Sequence, residues 1–202
     1  MVERIVRRLT PKGEATRTRI LDAATGLIAA HGVAGTSTDQ VRHAAGVSGS
    51  QLYHYFATKQ ALIGAVIARQ AAVGPGAPGV LDSMEALEAW ADAAVARQGV
   101  VGGRCDLSTL AAELCAGDAA SRAEIRAGYE RWRVALLDAL RAMRDRGTLR
   151  PDADLDDLAL ALLAALQGGS LLAQVLGTAE PMRAAMGAAL DRVRSCVVEP
   201  EG

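Results

Sequence analysis

The chain has 202 residues, half of them hydrophobic and 22% charged, with a net charge of -1. This composition excludes wholesale disorder, and abundant Ala and Leu without long β-branched runs predict an all-α protein. Three cysteines without paired or metal-like spacing, and an N-terminus without an apolar signal region, favour the reducing cytoplasm.

Charge is distributed unevenly along the chain. Residues 1–60 carry eight Lys or Arg against four Asp or Glu, whereas the remainder carries fourteen against nineteen. This asymmetry is typical of a segment that faces a polyanion, although a basic segment that only aids solubility explains it equally well.

The first predicted helix spans residues 14–30, where apolar residues recur at helical spacing before Gly32. Two capping boxes follow, Ser37 with Gln40 and Ser48 with Gln51, and each opens a short helix. These helices end near residues 45 and 55, and a turn with glycine separates them. The pattern predicts a helix-turn-helix at about 37–56, followed by a helix over 59–73.

The Gly- and Pro-rich stretch 73–80 predicts a domain boundary. Beyond it we predict helices at 81–98, 105–116, 120–146, 155–176 and 181–198. Residues 158–179 contain no charge and are long enough to span a bilayer, but their Gln, Gly and Ala content favours a buried helix of a protein outside the membrane.

Two of these helices carry faces suited to close packing. Small residues recur every fourth position in 155–176, and an apolar face runs along 181–198. These are Ala161, Ala165, Gly169 and Ala173 on the first, and Met182, Ala185, Met186, Ala189, Leu190 and Val193 on the second. We expect a homodimer through a four-helix bundle, with intramolecular packing as the alternative.

A helix-turn-helix places the start of its second helix in the major groove of DNA. Gln51 can pair with adenine there, and Ser50 can donate or accept a hydrogen bond. Phosphate contacts are expected from hydroxyls at helix N-termini, the outward rings and basic side chains. The predicted DNA-binding residues are Ser37, Thr38, Arg42, Ser48, Gly49, Ser50, Gln51, Tyr53, His54 and Lys59.

Half of the six aromatic residues lie within "LYHYF" at 52–56. Helical spacing predicts that Leu52, Tyr55 and Phe56 face inward, while Tyr53 and His54 face outward toward phosphates. The alternative is that all of these rings only pack.

Residues 14–64, above all "TSTDQVRHAAGVSGSQLYHYFATKQAL", resemble the DNA-binding domain of the TetR family of bacterial transcriptional repressors. Gly49 departs from the larger residue that many members carry. The segments "CDLSTLAAEL" and "GTLRPDADLDDLALALLAALQGGSLLAQV" are similar to the LmrA/YxaF-like branch, although Asp106 and Ser108 depart from it.

This resemblance implies a three-helix DNA-binding domain at 14–74 and a larger helical ligand-binding and dimerisation domain at 75–202. It also implies a homodimer on a palindromic DNA operator, with a small-molecule inducer that releases the protein. A regulator without a ligand, and an activator, are the alternatives.

The predicted pocket residues are mainly the aromatic and apolar side chains of the C-terminal part, because apolar ligand sites favour them. They are Trp90, Cys105, Leu110, Tyr129, Trp132, Met143, Leu163 and Gln167. Few charges occupy the expected interior positions, so a largely apolar ligand is predicted.

The sequence offers no catalytic constellation. Its three histidines, at 31, 43 and 54, lie in or beside the predicted helix-turn-helix, and no nucleophile, metal or phosphate-loop motif occurs. We therefore predict neither an enzyme nor a bound cofactor or metal.

Overall fold

The computed structural model describes residues 10–72, 81–98, 107–115 and 119–198, and the all-α prediction is confirmed. In these ranges the helices are α1 (Pro11–His31), α2 (Thr38–Ala45), α3 (Gly49–Tyr55), α4 (Lys59–Ala71), α5 (Met84–Gln98), α6 (Leu107–Leu114), α7 (Ala119–Asp145), α8 (Leu155–Leu176) and α9 (Glu180–Arg194). The chain divides into two compact units between Val66 and Ile67, within α4. The predicted boundary at 74 lies outside the described residues and stays a prediction.

Helix α1 begins three residues before the predicted start. The Thr10 side chain accepts a hydrogen bond from the backbone N–H of Gly13, and Pro11 occupies the first turn. Both features favour a helix start, because proline needs no backbone donor there. The helix ends where Gly32 adopts a positive φ of 71°.

Both predicted capping boxes are present. Ser37 and Gln40 exchange hydrogen bonds of 2.7 and 3.2 Å, and Ser48 and Gln51 exchange bonds of 2.9 and 3.1 Å. Gly46 takes a φ of 62° in the turn between the two helices, a conformation that glycine adopts without steric cost. The helix-turn-helix is therefore built from local hydrogen bonds.

The second unit is built around α8, which packs against α5, α6, α7 and α9. Its contact with α9 is so close that a Cβ on Gly169 would lie 2.9 Å from the Met182 Cα atom. The apolar side chains of α9 are buried in the same chain, for example Met186 and Val193. The face of α8 at Gly169 and the apolar face of α9 were expected to meet those of a second copy. They pack instead within one chain.

Besides the start of α1, two helix ends differ from the prediction by three residues or more. Helix α5 begins at Met84 instead of 81, because the Ser83 hydroxyl caps it by accepting from Ala86 N–H. Helix α9 ends at Arg194 instead of 198, because the chain turns and Val197 forms a bridge with Leu149.

Helix α8 is, among the described residues, the one helix long and apolar enough to cross a bilayer. Length and composition are weak evidence for a span, because a core helix passes the same test. Leu158, Leu162 and Leu166 are buried within the unit, as expected of a core helix.

Candidate nucleic-acid interface and ligand cavity

Helix α3 divides its aromatic cluster between two faces as predicted. Leu52 and Phe56 are buried, whereas Tyr53 is 58% exposed and His54 is exposed. The guanidinium of Arg17 lies 5.6 Å from the centre of the Phe56 ring, a cation–π contact that fastens α1 to the end of α3. Leu52 and the Phe56 ring thus hold α3 in place. Tyr55, predicted to face inward, is only half-buried, with its ring edge to face against His54. The outward rings of Tyr53 and His54 are accessible to a ligand.

The side chain of Gln51 is engaged by its own helix. Its oxygen accepts the Ser48 backbone N–H at 2.9 Å, which leaves the amide nitrogen to donate elsewhere. A bidentate contact with adenine uses both the oxygen and the nitrogen. Because the amide oxygen has a second lone pair, the predicted contact with adenine would share that oxygen with the capping box.

Serine hydroxyls at both helix starts act first as caps. Ser37 accepts from Gln40 N–H, and Ser48 accepts from Gln51 N–H while lying 3.0 Å from the Ser50 hydroxyl. A hydroxyl that accepts one bond retains its own hydrogen to donate. Ser37 keeps its hydrogen for a phosphate contact, and so does whichever of Ser48 and Ser50 accepts the bond between them.

Arg42 is paired within its own helix. Its guanidinium lies 2.8 Å from the Asp39 carboxylate and 2.6 Å from the His43 ring nitrogen. The hydrogen bond from Arg42, together with the positive charge of Arg42, holds the pKa of Asp39 below its ordinary value. Arg42 thus presents a locally compensated charge on the predicted DNA-facing side.

The remaining predicted DNA contacts lie at helix starts. Thr38 and Lys59, both half-buried, line a small cavity between α1, α2 and α4. A Cβ on Gly49 would come no closer than 3.9 Å to Arg42, so packing does not demand glycine there. Thr58, not singled out from the sequence, caps α4 by accepting from Ala61 N–H.

A cavity of about 720 Å³ lies between α6, α7 and α8 of the second unit. Its described lining residues are Ala111, Cys115, Ala119, Arg122, Ala123, Ile125, Arg126, Tyr129, Glu130, Arg133, Leu160 and Leu163. Its volume falls in the range of small-molecule sites. Tyr129 and Leu163 were predicted for a pocket and are brought together here.

The other predicted pocket residues lie elsewhere. Leu110 and Met143 are fully buried in the core, Trp132 is buried, and Trp90 is half-buried on α5. Cys105 lies outside the described residues. Leu110, Met143, Trp132 and Trp90 are absent from the described lining of this cavity. The role of these residues in ligand binding stays a prediction.

Tyr129 connects the cavity wall to two neighbouring helices. Its hydroxyl lies 3.1 Å from the Gln167 side-chain oxygen on α8 and 3.3 Å from the Leu107 carbonyl on α6. One hydroxyl hydrogen can serve one of these acceptors at a time. Gln167 therefore contacts the cavity through Tyr129.

Trp132 continues this connection toward α4. Its ring packs edge to face on Tyr129, with 6.0 Å between ring centres. Its indole N–H donates to the Ala71 carbonyl at 2.6 Å, at the end of α4. A Cβ on Gly128 would lie 2.9 Å from the Ala71 Cβ, so α7 and the end of α4 are in close contact.

The sequence analysis predicted no charged residue for the pocket, whereas charged side chains line part of the cavity wall. Arg133 donates to both oxygens of Glu130 and, at 2.7 Å, to Asp156. This bonding, with the nearby charge of Arg126, lowers the pKa of Glu130, and the two carboxylates raise the pKa of Arg133. The recurrence of charges along α7 was the available signal, but it is also typical of a solvated face.

No group of three potential metal-ligating side chains comes together in the part of the chain that the structure describes. The free cysteines there are Cys115 and Cys196.

Two family models together match most of the chain. Residues 20–66 match the model described as bacterial regulatory proteins, tetR family, and residues 83–189 match the tetracyclin repressor-like C-terminal domain. The chain belongs to the TetR family. It is accordingly a DNA-binding transcriptional regulator and not an enzyme, as predicted. Similarity to the LmrA/YxaF-like branch stays a prediction.

Solved structures have the same fold over nearly the whole chain. A TetR transcriptional regulator from Chloroflexus aurantiacus J-10-FL is 26% identical, with a TM-score of 0.77 over 93% of this chain and 98% of its own. A TetR-family regulator from Cytophaga hutchinsonii is 17% identical, with a TM-score of 0.78 over 96% and 100% of the two chains. Reduced NemR from E. coli is 20% identical, with a TM-score of 0.75 over 93% and 100%. No curated protein matches the chain.

Proposed function

We propose that this TetR-family regulator is a cytoplasmic homodimeric repressor, released from a palindromic operator by a small, largely apolar ligand. The observation that carries the proposal is a cavity of about 720 Å³ in a chain that also has a helix-turn-helix. Apolar side chains such as Ile125, Leu160 and Leu163 form part of the wall. Such a site favours an apolar ligand body.

Helix α4 is proposed to carry the response to the ligand. A ligand in the cavity contacts Tyr129, which packs on Trp132, and Trp132 holds the Ala71 carbonyl at the end of α4. The other end of α4 begins at Lys59, four residues after α3 ends. A ligand that favours one position of α7 therefore biases the position of α3 through one continuous helix.

The proposed dimer uses the outer faces of α8 and α9. Helix α8 exposes large apolar side chains near its C-terminal end, namely Leu171, Leu172, Val175 and Leu176. A Cβ on Gly168 or Gly187 would meet no atom within 4 Å, so both helices have smooth positions that a second copy can approach. Two copies of this surface would form a four-helix bundle about a two-fold axis.

Selection of duplexes from a random DNA library tests the proposal directly. The protein is first unfolded and refolded, which strips bound small molecules, and the selection is run at moderate salt. A dimer should enrich palindromes whose half-sites lie about 34–36 Å apart along one face of the DNA. Binding to all sequences alike, with steep loss as salt is raised, would refute a sequence-reading repressor.

A further inference from the structure

The carboxylate of Asp39 is an exception in the DNA-binding part of the chain. Between Asp22 and Asp82 it is the only acidic residue of the sequence. It lies in the first turn of α2 and is exposed to solvent. A negative charge on this surface opposes the approach of DNA phosphates. Taken alone, Asp39 therefore lowers the affinity for DNA.

The contacts of Asp39 fix the side chain of Arg42. The Oδ1 atom of Asp39 accepts the Arg42 Nε–H at 2.9 Å and lies 2.8 Å from Arg42 Nη2. Arg42 Nη2 also lies 2.6 Å from the Nε2 atom of His43. The bond from Arg42 and its positive charge lower the pKa of the Asp39 carboxyl, which favours its ionised form. Two contacts on one helix thus set the plane of the guanidinium.

The stem of Arg42 lies against the start of α3. A Cβ on Gly49 would meet the Cδ atom of Arg42 at 3.9 Å, an ordinary contact distance. The Arg42 side chain is 30% exposed, whereas that of Asp39 is 70% exposed. The Arg42 carbonyl also accepts the N–H of Val47 in the turn between the helices. Arg42 therefore stands between α2 and the helix that carries the predicted base contacts.

We propose that Asp39 is a positioning residue, which orients the guanidinium of Arg42 for a DNA phosphate beside the start of α3. Fixing a mobile arginine on binding costs conformational entropy, and Asp39 fixes it before DNA arrives. The contacts with Asp39 and His43 involve Nε and Nη2, and the two N–H groups of Nη1 are further donors for a phosphate. This inference concerns DNA binding and is independent of the proposed ligand and dimer.

A second pair of the same kind provides a matched control. An Asp and an Arg three residues apart also stabilise a helix slightly, wherever the helix lies. Asp138 and Arg141 form such a pair on α7, at 3.0 Å, in the unit without the helix-turn-helix. Positioning for DNA predicts that only the Asp39 pair affects DNA binding.

The test compares Asp39→Asn with Asp39→Ala. Both remove the negative charge, but asparagine retains an oxygen that can accept from Arg42. Binding is measured by fluorescence anisotropy on a labelled pool of random-sequence duplexes and on the selected duplex. We expect Asp39→Ala to bind both about threefold to tenfold more weakly than Asp39→Asn. The two duplexes should respond alike, because a phosphate contact carries no sequence information.

The same two substitutions are repeated in Arg42→Met. Arg42→Met should itself weaken binding and reduce the salt dependence by about one phosphate contact. In this background the asparagine and alanine variants should bind alike, because the guanidinium to be positioned is gone. Asp138→Asn and Asp138→Ala should both bind DNA as the parent chain does. Denaturant unfolding is measured on every variant.

Equal affinities of Asp39→Asn and Asp39→Ala would overturn the proposal and leave Asp39 as a surface charge. A difference that persists in Arg42→Met would also overturn it, as would an Arg42→Met chain that binds DNA like the parent. The random-sequence pool makes these outcomes independent of any operator. A selection that enriches no palindrome would therefore refute the proposed repressor alone.

Discussion

The substitution Gln51→Glu separates the two roles of this side chain. In the parent chain the Gln51 side-chain oxygen accepts the Ser48 backbone N–H at 2.9 Å. Glutamate also has an oxygen at this position and so preserves the capping box. It loses the amide donors and places a negative charge on the exposed start of α3. Folding and DNA reading should therefore respond in opposite directions.

The expected magnitudes come from the local geometry. A carboxylate in the first turn of a helix gains about 0.3–1 kcal/mol from the helix dipole, so the free energy of unfolding should be unchanged or slightly raised. Loss of a base contact costs about 1–3 kcal/mol on the preferred duplex. That corresponds to a loss of affinity of about fivefold to more than a hundredfold.

The assay is fluorescence anisotropy with the selected duplex and with a scrambled one, beside denaturant unfolding. Gln40→Glu is the matched control, because Gln40 forms the same capping box with Ser37 one helix earlier. Gln40→Glu should leave the free energy of unfolding equally unchanged. It should weaken binding to both duplexes alike, since only phosphates are expected near residue 40. Gln51→Glu should instead lower the preference for the selected duplex.

Two results would refute this reasoning. If Gln51→Glu keeps the sequence preference of the parent chain, Gln51 does not read bases. If it lowers the free energy of unfolding by more than about 1 kcal/mol while Gln40→Glu does not, the capping box of α3 is not the stabilising element described here.

Three further predictions concern the second unit. Trp132→Phe removes the donor to the Ala71 carbonyl and should lower the free energy of unfolding by about 1–2 kcal/mol, measured by denaturant titration. Gly169→Ala should lower it by about 1–3 kcal/mol in the same assay, because the new Cβ would lie 2.7 Å from the Met182 sulfur and 2.9 Å from its Cα atom. Val175→Asp places a charge on a side chain that is 72% exposed in one chain, and should dissociate the proposed dimer in sedimentation velocity.

Each of these has a control on the same chain. Trp90→Phe alters a half-buried ring and should cost less than Trp132→Phe. Gly64→Ala adds a Cβ with no neighbour within 4 Å and should stabilise its helix by up to about 1 kcal/mol. Val134→Asp changes a side chain that is 40% exposed on α7 and should leave the oligomeric state unchanged. The reverse order in any pair would contradict the corresponding argument.

The DNA-facing part of the chain was predictable because its determinants are local. Ser37 and Gln40, or Ser48 and Gln51, find each other within one helical turn, so their bonds follow from the order of residues alone. The same spacing correctly divided the aromatic cluster into buried Phe56 and exposed Tyr53. The engagement of Gln51 by its own helix follows from the same box.

The cavity was predictable only in part. Tyr129 and Leu163 line it, whereas Leu110 and Met143, equally apolar in sequence, lie in the closed core. Apolar character does not tell a lining residue from a core residue, because that depends on how neighbouring helices diverge. Arg126 was missed for the converse reason, since an arginine on a helix surface is typical of a solvated face.

By itself, then, the sequence determined the starts of α2 and α3, the glycine turn at Gly46 and the membership of a DNA-binding family, because each depends on residues a few positions apart. Tertiary structure alone decided which face of α8 meets α9. A small residue such as Gly169 permits close packing with any helix. In the structure Gly169 packs against Met182 of the same chain, so this face of α8 is buried within one chain. The apolar side chains left outside, such as Val175, are then the surface available to a second copy.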